Sequence, residues 1–131
     1  MTTLRIGIAS YDEMKARTLA IARGEYKPKK GEPKVWFTSM ESVAKVLSDK
    51  NRALLSLIAT EQPTSLTELA KLSGRAKPNL SRTLKTMAGY GLVQLKKGER
   101  GKMAPVVPYS EIVLDLFLSE SVAKVVGRAK A

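Results

Sequence analysis

Asn79, Arg82, Lys85 and Thr86 recur at three- and four-residue spacing within PNLSRTLKTMAGYG. Wound as a helix at about 100° per residue, they share one side with Pro78, whereas Leu80, Leu84 and Met87 gather on the opposite side. These side chains are suited to recognition rather than to bond-making. An asparagine amide matches the adenine edge in a major groove, an arginine matches guanine, and lysine and threonine hold phosphates. Most basic helix faces are only solvated surface, but the segments that flank this one set it apart.

The preceding segment, TSLTELAKLSG, reads as a second helix. Ser65 and Glu68 have the S-x-x-E spacing of a capping box, and Gly74 suits the left-handed position that closes a helix. Residues 75–77 fill a short turn, and Pro78 sits where a first turn tolerates a missing N–H. Leu66, Leu69 and Ala70 are expected to meet Leu80, Leu84 and Met87. After the second helix, Leu92, Val93 and Leu95 form an apolar β run, and residues 103–107 return with Val106 and Val107. Between them lies KKGERGK, which offers Lys96, Lys97, Arg100 and Lys102 against Glu99. A basic hairpin tip alone is weak evidence, since such charges often serve solubility. Directly after a helix pair it reads as a wing, able to lie along phosphates or to place Arg100 in a minor groove. The candidate DNA contacts are Arg75, Lys77, Pro78, Asn79, Ser81, Arg82, Lys85, Thr86, Lys97, Arg100 and Lys102. Asn79 and Arg82 are expected at the bases.

Charge points the same way. The 131 residues hold 23 Lys+Arg against 12 Asp+Glu, a net +11. From Lys71 to Lys102 there are nine basic residues and one acid, so that stretch carries +8. Charge so concentrated predicts a polyanion partner. A membrane surface would require a basic amphipathic helix with large exposed apolar anchors, and the sequence offers none. Nor does any stretch approach the ~20 apolar residues of a membrane span. The start, MTTLRIGIAS, lacks a signal peptide's basic and apolar regions, so a cytoplasmic location is expected.

With no Cys and no His, thiol nucleophiles, thiolate metal sites and the commonest general base are missing. The acids show no metal-ligand spacing, and no glycine-rich loop cradles phosphate. The expectation is a protein that is not an enzyme and needs no cofactor or metal.

Residues 1–38 read as a β-α-β arm. Leu4 to Ala9 alternates as a half-buried strand, with Leu4, Ile6 and Ile8 on one side. Ser10 and Glu13 make a capping box for a helix from Tyr11 to about Arg23, whose inner face is expected at Met14, Thr18, Ile21 and Ala22. EYKPKKGEPK reads as a mobile loop, and Lys34 to Phe37 as a strand sharing a sheet with the first. Thr38 with Glu41, and then Asp49, are expected to cap two further helices, the later one ending at Pro63. The aromatics Tyr26, Trp36 and Phe37 are expected in packing rather than in a ligand cleft. From Ser110 to Leu118, strand and helix periodicity are equally good, and residues 121–131 could form a short terminal helix. The expected fold is α+β: an N-terminal β-α-β arm (1–38), a winged helix-turn-helix (39–109) and a C-terminal segment (110–131).

The runs VWFTSMESVAKVLSDKNRALLSLI, SLTELAKLSGRAKPNLSRTLKTMAGYGLV and PVVPYSEIVLDLFL resemble small prokaryotic DNA-binding proteins among the MarR-like winged-helix regulators. The resemblance spans about Val35 to Leu118, but not the basic loop at 27–34 or the tail after Ser119. It implies a strand at 112–118 and a role in transcriptional regulation, most simply repression. Some similar proteins look like the antitoxin half of a toxin–antitoxin pair, which implies a toxin protein as an alternative partner. Unpaired edges in so small a sheet suggest a homodimer, joined through the arm and the 112–118 strand. A two-fold dimer would place two helices on a palindrome. A coating protein that binds nucleic acid without sequence preference is the rival in the same chemistry.

Overall fold

Serine side chains set most of the helix starts. In the computed structural model, which describes residues 2–98 and 101–116, the chain is α+β. In order come β1 (Thr3–Ile8), α1 (Tyr11–Ala22), β2 (Val35–Phe37), α2 (Met40–Val46), α3 (Asp49–Glu61), α4 (Leu66–Ser73), α5 (Lys77–Tyr90), β3 (Gln94–Lys97), β4 (Met103–Val106) and β5 (Glu111–Asp115). Glu99, Arg100 and residues 117–131 lie outside the described residues. The expectations for the Arg100 tip, for the end of the 112–118 strand and for a terminal helix fall there.

Ser10 forms the full capping box with Glu13 that the spacing predicts. Two other caps lie one residue from where they were expected. The Ser39 hydroxyl, not that of Thr38, accepts from the Ser42 N–H at the start of α2. The Ser48 hydroxyl caps α3, and Asp49 becomes its first residue. Adjacent short polar residues compete for one cap. The winners leave Val43 and Val46 on the buried side of α2.

Contacts divide the described chain into two units. One is Thr2 with residues 44–111; the other is Thr3–Val43 with residues 112–116. Residues 112–116, read from sequence as part of a separate C-terminal segment, thus join the N-terminal elements.

In that N-terminal unit a three-stranded sheet has the order β2-β1-β5, and β1 pairs with β2 in parallel, Ile6 opposite Val35 and Ile8 opposite Phe37. Ile6, Ala9, Ala20, Val35, Phe37 and Val43 are buried. The alternation expected along β1 is incomplete, because Gly7 is buried as well. A Cβ on Gly7 would stand 2.7 Å from Trp36 Cζ3, so the indole lies against a gap that only glycine leaves. The expected inner face of α1 is also corrected. Thr18 and Ala22 are exposed, whereas Ala20 is buried and Arg17 is largely covered. Arg17 can turn inward because its guanidinium meets the Glu32 carboxylate at 3.0 Å and lies 5.6 Å from the Trp36 ring centre. Glu32 also accepts from the Tyr26 hydroxyl and from the Lys29 N–H, so the Lys/Pro/Gly loop is tied down rather than mobile.

In the other unit, Leu54, Leu55 and Ile58 of α3, Leu69 of α4, and Leu80, Leu84 and Met87 of α5 form the core with Leu92 and Val93. Each such side chain contributes roughly 1.5–3 kcal/mol by leaving water. β3 and β4 form an antiparallel hairpin in the register Gln94 to Val106 and Lys97 to Met103. Val107 falls outside it, and Leu92 and Val93 are buried ahead of β3 rather than within it. Pro105 sits on this two-stranded ladder, where a strand can lack a donor.

Candidate functional site

The turn between α4 and α5 fixes the geometry of the site. Gly74 closes α4 with φ 72°, the left-handed position that sequence assigned to it. The start of α4 departs from a full capping box. Ser65 caps the Glu68 N–H, but the Glu68 carboxylate reaches back to Thr64, accepting from its N–H at 2.6 Å and from its hydroxyl at 3.0 Å. Those bonds to the ionised form hold Glu68 below the usual carboxylate pKa.

α5 begins at Lys77, one residue earlier than sequence placed it, with Ala76 as a cap that offers no side-chain bond. It also lacks an acid in its first turn, whereas α1 carries two and α2, α3 and α4 one each. Helices commonly use Asp or Glu there to offset the positive end of the backbone dipole. α5 instead adds Lys77 to that end.

The two faces of α5 separate as the spacing requires. Leu80, Leu84 and Met87 are at most 1% exposed. Pro78, Asn79, Arg82, Lys85 and Thr86 are exposed. No hydrogen bond or ion pair joins the side chains of Asn79, Arg82, Lys85 or Thr86 to the described residues. Arg5–Asp115, Arg17–Glu32 and Arg52–Asp49 are the ion pairs among those residues, so none neutralises α5. Ser81 is half-buried and stands apart from the exposed face.

Arg75 and Lys77 are less free than the rest. Arg75 is half-buried, and its guanidinium donates to Asn51 Oδ1 at 3.4 Å and to Thr83 Oγ1 at 3.3 Å. Asn51 in turn donates to the Val46 carbonyl at 2.9 Å. Arg75 therefore bridges α3 and α5 from the turn, through neutral partners that leave its charge uncompensated. Lys77 Nζ donates to Thr67 Oγ1 at 3.0 Å, tying the start of α5 to α4.

Arg82 stands between two clefts. The larger, of about 950 Å³, is bordered by Lys50, Arg75, Asn79 and Arg82 over a floor that includes Leu54 and Leu57. The smaller, of about 220 Å³, is bordered by Lys45, Asn51, Arg82 and Thr86. Lys45, Lys50, Asn51 and Thr83 were not singled out by sequence. Their signal was weak, since each lies on a different helix turn from the α5 pattern or is a short polar residue without charge.

On the hairpin, Lys96, Lys97 and Lys102 are exposed, and the Gly98 N–H donates to the Lys102 carbonyl to close the tip. The segment after the hairpin is anchored by Tyr109, whose hydroxyl donates to the Leu92 carbonyl. Burial pushes the Tyr109 hydroxyl up to about 12. Among the described residues no helix is long and apolar enough to cross a membrane, and no group of three acids, His or Cys could hold a metal.

No curated protein and no solved structure matches the chain. A family model described as HVO_A0114 matches residues 46–114, which span α3, α4, α5, the hairpin and most of β5. That match covers more than half of the sequence, and the chain belongs to the HVO_A0114 family.

Proposed function

We propose that the chain is a sequence-specific, double-stranded DNA-binding protein, a dimeric transcriptional regulator of the winged helix-turn-helix type. In this reading α4 and α5 are the helix-turn-helix, α5 enters the major groove, and the β3–β4 hairpin is the wing on backbone or minor groove. One observation carries it: α5 presents Asn79, Arg82, Lys85 and Thr86 to solvent as an unneutralised polar and basic face, over a fully buried apolar one.

Asn79 and Arg82 read base edges, because amide and guanidinium groups form paired hydrogen bonds with adenine and guanine. Lys77, Lys85 and Thr86 hold the backbone, and a phosphate at the start of α5 replaces the missing first-turn acid. Lys97, Arg100 and Lys102 are the wing contacts. Arg75 acts mainly by fixing the turn that aims α5. The activity is binding, without catalysis or cofactor, and it is exerted on DNA in the cytoplasm. The MarR-like resemblance of the sequence supports repression by occupancy of a promoter.

The dimer proposed here is joined through the three-stranded sheet, in which β2 and β5 flank β1. Selection of bound fragments from a random DNA pool at two salt concentrations tests the proposal. A palindromic consensus retained at the higher salt is the expected result. Enrichment of no sequence would leave only a coating protein.

A further inference from the structure

The loop between α1 and β2 carries charge that the proposed DNA-reading face does not use. Lys29, Lys30 and Lys34 are exposed on it, and they border a cleft of about 590 Å³ together with Arg5 and Arg17. The two arginines face Asp115 and Glu32, whereas none of the three lysine side chains meets an acid among the described residues. The cleft has no aliphatic or aromatic lining beyond two prolines. It is therefore unsuited to a hydrophobic ligand or to the apolar anchor of a membrane-bound helix.

The main chain of the loop that carries these lysines is held at Lys29 and at Lys34. Glu32 receives the Arg17 guanidinium at 3.0 Å, the Lys29 N–H at 2.9 Å and the Tyr26 hydroxyl. Arg17 lies 6.0 Å from the Tyr26 ring centre and 5.6 Å from that of Trp36. Trp36 in turn lies against Gly7 of β1. The Lys34 N–H donates to the Arg5 carbonyl at 3.0 Å, which pins the far end of the loop to the sheet. A loop that served only solubility would not need this chain of contacts, since scattered surface charge works without order.

From that arrangement we infer that the Lys29–Lys30–Lys34 cleft is a second phosphodiester-binding surface, distinct from α5 and the hairpin. It takes the nucleic-acid backbone by charge and carries no sequence preference. Each phosphate neutralised by a lysine releases counterions, so the surface adds to affinity and to its salt dependence, not to selectivity.

Two variants of the full chain test this, by titration of a fluorescent random duplex at several salt concentrations. In Lys29→Ser/Lys30→Ser/Lys34→Ser the slope of log affinity against log salt should flatten by about 2 to 3, at roughly 0.9 per lost phosphate contact. The ratio of selected to random duplex should stay unchanged. Glu32→Gln raises the net charge by one, so charge counting alone requires tighter binding. Release of the loop requires weaker binding, which is the expected result provided its circular dichroism is that of the unsubstituted chain. An unchanged salt slope in the triple variant overturns the inference even if sequence selectivity through Arg82 is intact. Loss of binding to phosphatidylserine vesicles with the duplex slope unaltered would assign the cleft to a membrane, and also overturns it. Failure of the unsubstituted chain to prefer any sequence, with the slope change present, would instead count against α5 as the reading helix and leave this surface standing.

Discussion

The Tyr109 hydroxyl donates to the main-chain carbonyl of Leu92, so the segment leaving the hairpin is tied to the segment that enters it. Leu92 itself is 0% exposed, and its N–H donates to the Met87 carbonyl in the last turn of α5 at 2.9 Å. The bond thus links the base of the basic hairpin to the helix it accompanies.

Burial of the Tyr109 hydroxyl makes stability depend on alkaline pH. The folded state holds Tyr109 neutral up to about 12, against 10.0 for the free side chain. A folded pKa above the unfolded one gives stability that is complete below pH 10 and is lost as pH rises toward 12. Tyr109→Phe should cost about 1 kcal/mol at neutral pH and should flatten the pH dependence above pH 10. Urea midpoints measured from pH 8 upward check both; an equally steep loss in Tyr109→Phe would show that another group is responsible.

Glu68 has the opposite sign. Its folded pKa lies below 4.5 because Thr64 donates twice to the carboxylate. The stability it gives is present above that value and is lost as pH falls through the lowered one. Glu68 is fully exposed, so the effect is small, but Glu68→Gln should narrow the difference in melting temperature between pH 7 and pH 3.

Gly7→Ala tests the contact beneath Trp36. A methyl group 2.7 Å from Trp36 Cζ3 forces the indole or the strand to move. A loss of about 1–3 kcal/mol is expected. Trp36 is the only tryptophan, so a shifted emission maximum should accompany the loss. A stable Gly7→Ala protein with unaltered emission would mean that the sheet accommodates the methyl group without cost.

Arg75 and Arg82 should behave differently although both were assigned to DNA from sequence. Arg75→Met removes the bridge from the turn to Asn51 and Thr83, and should lower stability by about 1–2 kcal/mol. Arg82→Met, at an exposed position, should stay within about 0.5 kcal/mol. Denaturant unfolding of the two separates a residue that shapes the turn from one that is free to bind.

The contrast between those arginines marks where the sequence was legible. Leu80, Leu84 and Met87 declared the buried face of α5 by spacing alone, and with it the exposed positions of Asn79, Arg82, Lys85 and Thr86. Ser10 and Gly74 announced one helix start and one helix end. Partners distant in sequence were invisible. Arg75 reaches Asn51 across 24 residues, and Arg17 reaches Glu32 across 15, which brought Arg17 into the covered face of α1 in addition to Met14 and Ile21. Periodicity could not separate strand from helix at 110–118. β1 decides it for Glu111–Asp115, because hydrogen bonding to a neighbouring strand is a long-range property. Near Thr38–Ser39 and Ser48–Asp49, two adjacent residues could each cap, and burial of the following valines or leucines chose between them.

Binding of selected and random duplexes by Arg82→Ala and Lys85→Ala tests the central claim most directly, namely that the exposed face of α5 reads base sequence. Arg82→Ala should lose about 1–3 kcal/mol on the selected site and little on random DNA, while Lys85→Ala weakens both alike. Equal losses on both duplexes for Arg82→Ala, or no preference for any duplex in the unsubstituted protein, would contradict it.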